Sequence, residues 1–153
     1  MPVFGGLKDD TVALLLDTAK AWTLLEGEYF FREKEHGSSM FVLQGGRVAV
    51  IKTWEDHDYL IAELARGDCF GEMSLIDLGP RSASVLAMEP CSALEIKAAD
   101  LQKLYRHSVN EFAMIHMNMG REVSRRLRDT DRTLFKARIE AKEIGGHRVF
   151  RRP

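Results

Sequence analysis

The chain has 153 residues, of which 45% are hydrophobic and 29% charged, with a formal net charge of −1. That is ordinary for a soluble globular protein with room for one hydrophobic core. No apolar run approaches the ~20 residues a membrane helix needs. The opening Met1-Pro2-Val3-Phe4-Gly5-Gly6 lacks the basic and apolar regions of a secretion signal, so a cytoplasmic protein with no membrane contact is expected.

Taken in order, residues Leu7 to Trp22 read as a helix, with Asp9, Asp10 and Thr11 at its start and Val12, Leu15, Leu16 and Ala19 on one face. From Glu26 to about Ile96 the pattern changes to short strands. The clearest are Tyr29–Phe31, Met40–Leu43, Val48–Ile51 and Tyr59–Leu64, separated by turn signals at Gly27, Gly37-Ser38, Gly45-Gly46, Asp56-His57-Asp58 and Gly67-Asp68. Gln44-Gly45-Gly46-Arg47 reads as a hairpin turn and Asp68 as a turn residue. Ser82–Ala87 and Ser92–Ile96 add two more strands. Regular short strands with such turns argue a jelly-roll-like sandwich or barrel.

After Lys97 the period becomes helical. A short helix over Ala98–His107 is followed by a long one from about Val109 to Glu143, stopped by Gly145-Gly146. Phe112, Ile115, Met119, Val123, Leu127 and Leu134 form a narrow apolar stripe on it, which suits a two-helix seam with a second copy. Charge is uneven. Residues 1–120 hold 11 Lys/Arg against 18 Asp/Glu, a balance of −7, and residues 121–153 hold 11 against 5, a balance of +6. Such a basic segment suits an acidic partner, nucleic acid or a solvated helix face. Cys69 and Cys91 are expected as buried thiols in a reducing compartment. A disulfide between them is the alternative, disfavoured by the missing export signal. The five histidines form no short-range ligand pair, so no metal site is expected.

Between the strands lies Phe70-Gly71-Glu72-Met73-Ser74-Leu75-Ile76-Asp77-Leu78-Gly79-Pro80-Arg81-Ser82-Ala83-Ser84-Val85, which reads as a small anion site. Gly71 permits a backbone turn that a side chain would crowd. Glu72 to Asp77 then make about one helical turn, whose first N–H groups favour a negative ligand. Gly79-Pro80 breaks the turn, and Arg81 is shaped to grip a phosphate with paired hydrogen bonds. Glu72 would repel that phosphate but can accept from a hydroxyl. Together the two suit a ligand bearing both a phosphate and a ribose hydroxyl. A plain surface salt bridge is the competing reading, and it needs neither glycine nor helical turn.

This stretch resembles the phosphate-binding cassette of cyclic-nucleotide-binding domains, whose constrained positions are filled by Phe70, Gly71, Glu72, Ser74, Leu75, Arg81, Ser82, Ala83 and Val85. The resemblance covers roughly residues 7–143. It implies a mainly β fold with flanking helices: an N-terminal helix, an eight-stranded jelly-roll-like barrel at about 26–97, and C-terminal helices at about 98–144. Residues 145–153 are left as a basic tail. It implies that Glu72 holds the ribose 2′-hydroxyl and Arg81 the cyclic phosphate. The backbone of Gly71, Met73, Ser74 and Ala83 would support them, and Ser82 would contact phosphate or a guanine. Val50, Ile61 and Leu64 would lie under the base and sugar, and Phe70 fills the apolar position that opens the cassette. The long helix resembles the dimer helix of catabolite-activator sensors, where Arg125, Arg126, Leu127 and Thr130 match. There Thr130 and Asp131 would meet an adenine amino group.

The expected function is therefore a stand-alone receptor for cAMP, and for cGMP with it. It would be homodimeric through the long helix, signal to a separate and unidentified effector, and carry no other cofactor. A cyclic dinucleotide stays open as ligand. The chain ends soon after Glu143, without the recognition helix of the transcription-factor branch, so sequence-specific DNA reading is not expected. The alternative is an interaction module whose basic helix binds an acidic partner or nucleic acid. An enzyme is disfavoured, because no nucleophile–base pair, metal cluster or second carboxylate accompanies Glu72.

Overall fold

The structure, a computed structural model, describes residues 2–144. The expected basic tail and its Gly145-Gly146 stop lie outside the described residues. A short 3-10 turn, Pro2–Phe4, precedes helix α1 (Asp9–Thr18), and eight strands follow. They are β1 (Lys20–Leu24), β2 (Tyr29–Phe31), β3 (Ser39–Gly45), β4 (Val48–Trp54), β5 (His57–Leu64), β6 (Cys69–Phe70), β7 (Ser84–Ala87) and β8 (Cys91–Lys97). The helical turn α2 (Met73–Ile76) lies between β6 and β7, and helices α3 (Ala98–His107) and α4 (Val109–Ile144) follow the strands.

The strands form two antiparallel four-stranded sheets, in the orders β1-β8-β3-β6 and β2-β7-β4-β5. This is the expected jelly-roll-like architecture, built as two sheets and not as one closed barrel. β3 shows why its run Met40–Leu43 is apolar without interruption. Phe41 and Leu43 point into the core between the sheets, with Phe30, Phe31, Val48, Leu64, Phe70 and Val85. Met40 and Val42 point the other way, into a second core with Leu15 of α1, Leu101 and Leu104 of α3 and Ile115 of α4. A strand covered on both faces has no polar side to alternate with.

The two cysteines fall on opposite faces of the same sheet. Cys91 lies in the core between the sheets and Cys69 in the core under the helices. Their side chains point apart, which excludes the disulfide.

Three local expectations are corrected. The lead-in helix ends at Thr18, not Trp22, and Lys20–Leu24 is a strand paired along its whole length with Cys91–Glu95. The Thr18 hydroxyl turns back to Leu14 O and Leu15 O at 3.1 and 3.2 Å, and Ala19 is already extended. Cross-strand pairing overrides a helical pattern that local spacing allowed. On α1 itself the buried face is Thr11 and Leu15, while Leu16 is exposed. The β4–β5 turn is Glu55-Asp56, both at positive φ, so His57 and Asp58 belong to the strand.

Two compact units divide the chain, the first through Met119 and the second from Gly120. In the second, the helix is laced by ion pairs along its own length. Glu122 meets Arg125 at 2.6 Å and Arg126 at 3.1 Å, and Asp129 meets Arg125 at 3.7 Å and Arg132 at 3.5 Å. Leu127, Leu134, Phe135 and Ile139 are exposed. Among the described residues, no group of His, Cys, Asp and Glu could hold a metal, and no helix is long and apolar enough to cross a membrane.

Candidate functional site

The site begins where β6 ends. Phe70, buried and paired with Phe41, hands the chain to Gly71 at φ +79°. A side chain at Gly71 could not be accommodated: its Cβ would lie 2.5 Å from Arg81 Nη1 and 3.2 Å from Ser39 O. Glycine is required both by the left-handed backbone and by the guanidinium that occupies the space.

From Gly71 the chain enters α2. Leu75 and Ile76 N–H return to Glu72 O at 3.0 and 3.2 Å, and Asp77 N–H returns to Met73 O at 2.9 Å. This single turn leaves the amides of its first residues outside its own bonding pattern. Asp77 Oδ1 then accepts from Gly79 N–H at 2.8 Å, which closes the loop that delivers Arg81. Leu78 sits in that loop at φ +57°, exposed.

Arg81 is held on every side. Its own N–H donates to Glu35 O at 2.8 Å, and its carbonyl accepts from Lys34 N–H at 2.8 Å, tying the cassette to the β2–β3 loop. Nη1 donates to Ser39 O at 2.6 Å and to Gly71 O at 2.9 Å, and Nη2 donates to Ser39 Oγ at 3.1 Å. The guanidinium lies 4.1 Å from the Phe31 ring centroid, and Gly37 packs so closely on it that a Cβ there would collide with Nε. Burial pushes the guanidinium below its ordinary pKa, against the charges of Glu95, Glu35 and Glu72, which raise it. An arginine starts so high that it stays charged.

Glu72 is 2% exposed and Arg81 5%. The surface salt bridge is thereby excluded: both ionisable groups are enclosed at one glycine turn. Ser74 Oγ is enclosed as well and finds no hydrogen-bond partner among the described residues. Ala83 is buried, while Ser82 is exposed, its hydroxyl 3.6 Å from Met73 Sδ. The expected strand Ser82–Ala87 starts only at Ser84, whose Oγ accepts from Glu33 N–H at 2.8 Å. Arg81's backbone is already engaged by the β2–β3 loop, so regular pairing cannot begin there.

The structure thus gathers Phe70, Gly71, Glu72, Met73, Ser74, Arg81, Ser82 and Ala83 in one short stretch. Of the barrel residues, Leu64 belongs to the core between the sheets, Val50 packs against that core, and Ile61, at the bulge of β5, is exposed. Thr130 and Asp131 lie in the second unit, both exposed, with Thr130 Oγ1 donating to Arg126 O at 3.0 Å. Sequence reasoning missed Ser39, Gly37, Phe31 and Glu95. None has a motif of its own, and the one available signal was a polar Glu95 inside an apolar strand.

Both the sequence and the fold have relatives among known proteins. The family described as cyclic nucleotide-binding domain matches residues 22–108. The chain is 31% identical over 131 residues to a cyclic AMP receptor protein of Thermus thermophilus, covering 85% of this chain and 59% of that one. It is 38% identical over 85 residues to human cGMP-dependent protein kinase 2, covering 54% of this chain and 11% of the kinase. Among solved structures, the catabolite activator protein of Thermus thermophilus superposes with a TM-score of 0.78 at 30% identity, over 92% of this chain and 64% of that one. The chain thus spans less than two thirds of the length of either of these two curated relatives.

Proposed function

The chain belongs to the cyclic nucleotide-binding domain family, and from that membership we propose that it is a receptor for cAMP, taking cGMP as a weaker second ligand. The observation that carries this reading is the enclosure of Glu72 and Arg81 together at the Gly71 turn. A buried cation and a buried carboxylate at one site are costly to keep unless something uses both. A cyclic nucleotide does: its phosphate suits Arg81 and its ribose 2′-hydroxyl suits Glu72.

In this reading the backbone of Gly71, Met73, Ser74 and Ala83 supports the phosphate and sugar, and Ser74 Oγ gains a partner there. Ser82 contacts phosphate or guanine, Val50, Ile61 and Leu64 lie under base and sugar, and Phe70 fills the apolar position that opens the cassette. Thr130 and Asp131 read the adenine amino group. Residues 1–144 form the sensing domain and 145–153 a basic tail. Names of the relatives carry both cyclic AMP and cyclic GMP, which supports the ligand class more than the choice within it.

The output is a ligand-dependent repositioning of α4, a homodimer through that helix, and a separate effector. A ligand shifts such an equilibrium only through contacts that differ between the two states. The role is regulatory and not enzymatic. The alternative, an interaction module whose basic helix binds an acidic partner or nucleic acid, is weakened by the ion pairs that already engage Arg125, Arg126 and Arg132 along the helix. Isothermal titration with cAMP and cGMP tests the reading. One molecule bound per chain supports it, and no heat with either nucleotide removes it.

A further inference from the structure

Glu95 is a buried carboxylate to which the proposed ligand gives no role. It stands on β8 opposite Phe41 of β3, at 9% exposure. Strand alternation places it on the same face as Cys91 and Ala93, toward the core between the sheets. A carboxylate cannot sit there without a donor, and Trp22 supplies one: its Nε1–H donates to Glu95 Oε2 at 2.9 Å. Trp22 packs edge-on against Phe41 at 5.6 Å. Arg81 lies against the same ring, its guanidinium 5.9 Å from the Phe41 centroid. Glu95 and Arg81 therefore share one aromatic compartment, and the indole holds the carboxylate in place.

We propose that Glu95 sets the affinity of the cassette, its fixed negative charge bracing Arg81 from the core side while opposing an arriving anion. This rests on the reading of the cassette as a cyclic-nucleotide site. Among the carboxylates that support the charge of Arg81, Glu95 acts most strongly, ahead of Glu35 and Glu72. One guanidinium facing three carboxylates is a net negative surrounding for an added phosphate. Inside a protein such charges act over several ångströms with little screening by salt. Glu35 lies on an exposed loop, where water weakens its field. Glu72 is assigned to the ribose. Glu95 alone of the three is both buried and without a ligand contact, so its charge can be removed without removing a ligand contact.

The test is titration of cAMP into the parent, Glu95→Gln, Glu95→Asp and Trp22→Phe at one salt concentration, with a thermal midpoint for each. Gln keeps an oxygen for the Trp22 indole and loses only the charge, so Glu95→Gln should bind about three- to tenfold more tightly. Glu95→Asp keeps the charge and should stay within about twofold of the parent. Trp22→Phe keeps the ring but frees the carboxylate to approach Arg81, so binding should weaken. A Glu95→Gln protein with the parent's thermal midpoint and equal or weaker affinity overturns the proposal. So does a Trp22→Phe protein that binds more tightly, which covers the case of a Gln variant that fails to fold. A parent that binds no cyclic nucleotide removes the site reading itself, whereas a parent that binds beside an unchanged Gln variant removes only the role of Glu95.

Discussion

Ser39 grips Arg81 twice, through its carbonyl from Nη1 at 2.6 Å and through its hydroxyl from Nη2 at 3.1 Å. The guanidinium is thus positioned before any ligand arrives, and preorganisation lowers the ordering cost of binding. Replacing Arg81 by Ala deletes the charge and the fork together. We expect cAMP binding to weaken by about 1.5–3 kcal/mol, the range for hydrogen bonds to charged groups. Titration calorimetry reads this directly. An Arg81→Ala protein that binds like the parent would show that the anion is held elsewhere.

Glu72→Gln should cost less than loss of Arg81, because an amide oxygen still accepts from a hydroxyl, though less strongly than a carboxylate. The informative comparison uses 2′-deoxy-cAMP, which lacks that hydroxyl. Parent and Glu72→Gln should bind the deoxy ligand with nearly equal affinity and differ on cAMP. Equal loss on both ligands would make Glu72 a structural residue.

How far the sequence reveals all this depends on where each constraint resides. Gly71, Glu72 and Arg81 were legible because their spacing is local, and the strands β2 to β5 because apolar runs and turn residues alternate along them. β1 was hidden: Lys20-Ala21-Trp22 falls inside the helical pattern read over Leu7–Trp22, and only pairing with β8, about seventy residues away, makes it a strand. Ser39, Gly37 and Glu95 were hidden for the same reason. Each matters because of what distant strands bring against it, and of the three only Glu95, a charge inside an apolar strand, leaves a trace among its own neighbours.

The β4–β5 turn offers a test of the fold itself. Glu55 and Asp56 sit at φ +48° and +61°, a left-handed pair that a two-residue hairpin favours for Asn-Gly and that Glu tolerates poorly. Glu55→Asn with Asp56→Gly should therefore stabilise the protein by about 1 kcal/mol. The urea midpoint should rise at constant slope. A lower midpoint would mean that the turn is built differently.

Glu122 gives a pH dependence of known sign. The hydrogen bond from Arg125, with the charges of Arg126 and Arg125 beside it, holds its carboxyl below the ordinary range in spite of partial burial. A folded-state pKa below the unfolded value stabilises the fold at higher pH and is lost as pH falls through the folded value. The parent should be more stable than Glu122→Gln at pH 7. The gap should close as pH drops below about 4, the unperturbed glutamate range. A gap that is constant with pH would show that packing, and not charge, makes the difference.

On the proposed reading, base choice turns on Ser82. Among the described residues its exposed hydroxyl engages only the weak sulfur acceptor of Met73 at 3.6 Å, so it can turn to a phosphate or a guanine at little cost. In the proposed role of Thr130 and Asp131, acceptors there would suit the adenine N6 amino group and oppose the guanine O6. We expect cAMP to bind more tightly than cGMP by about 1–2 kcal/mol. Competition between the two nucleotides on the parent, on Ser82→Ala and on Thr130→Ala with Asp131→Ala separates the contributions. Ser82→Ala should lower cGMP binding more than cAMP binding, and the double change on α4 should erase the preference for cAMP. If the double variant still prefers cAMP by the same margin, the base is read by the strands of the first unit, and the long helix has no part in selecting it.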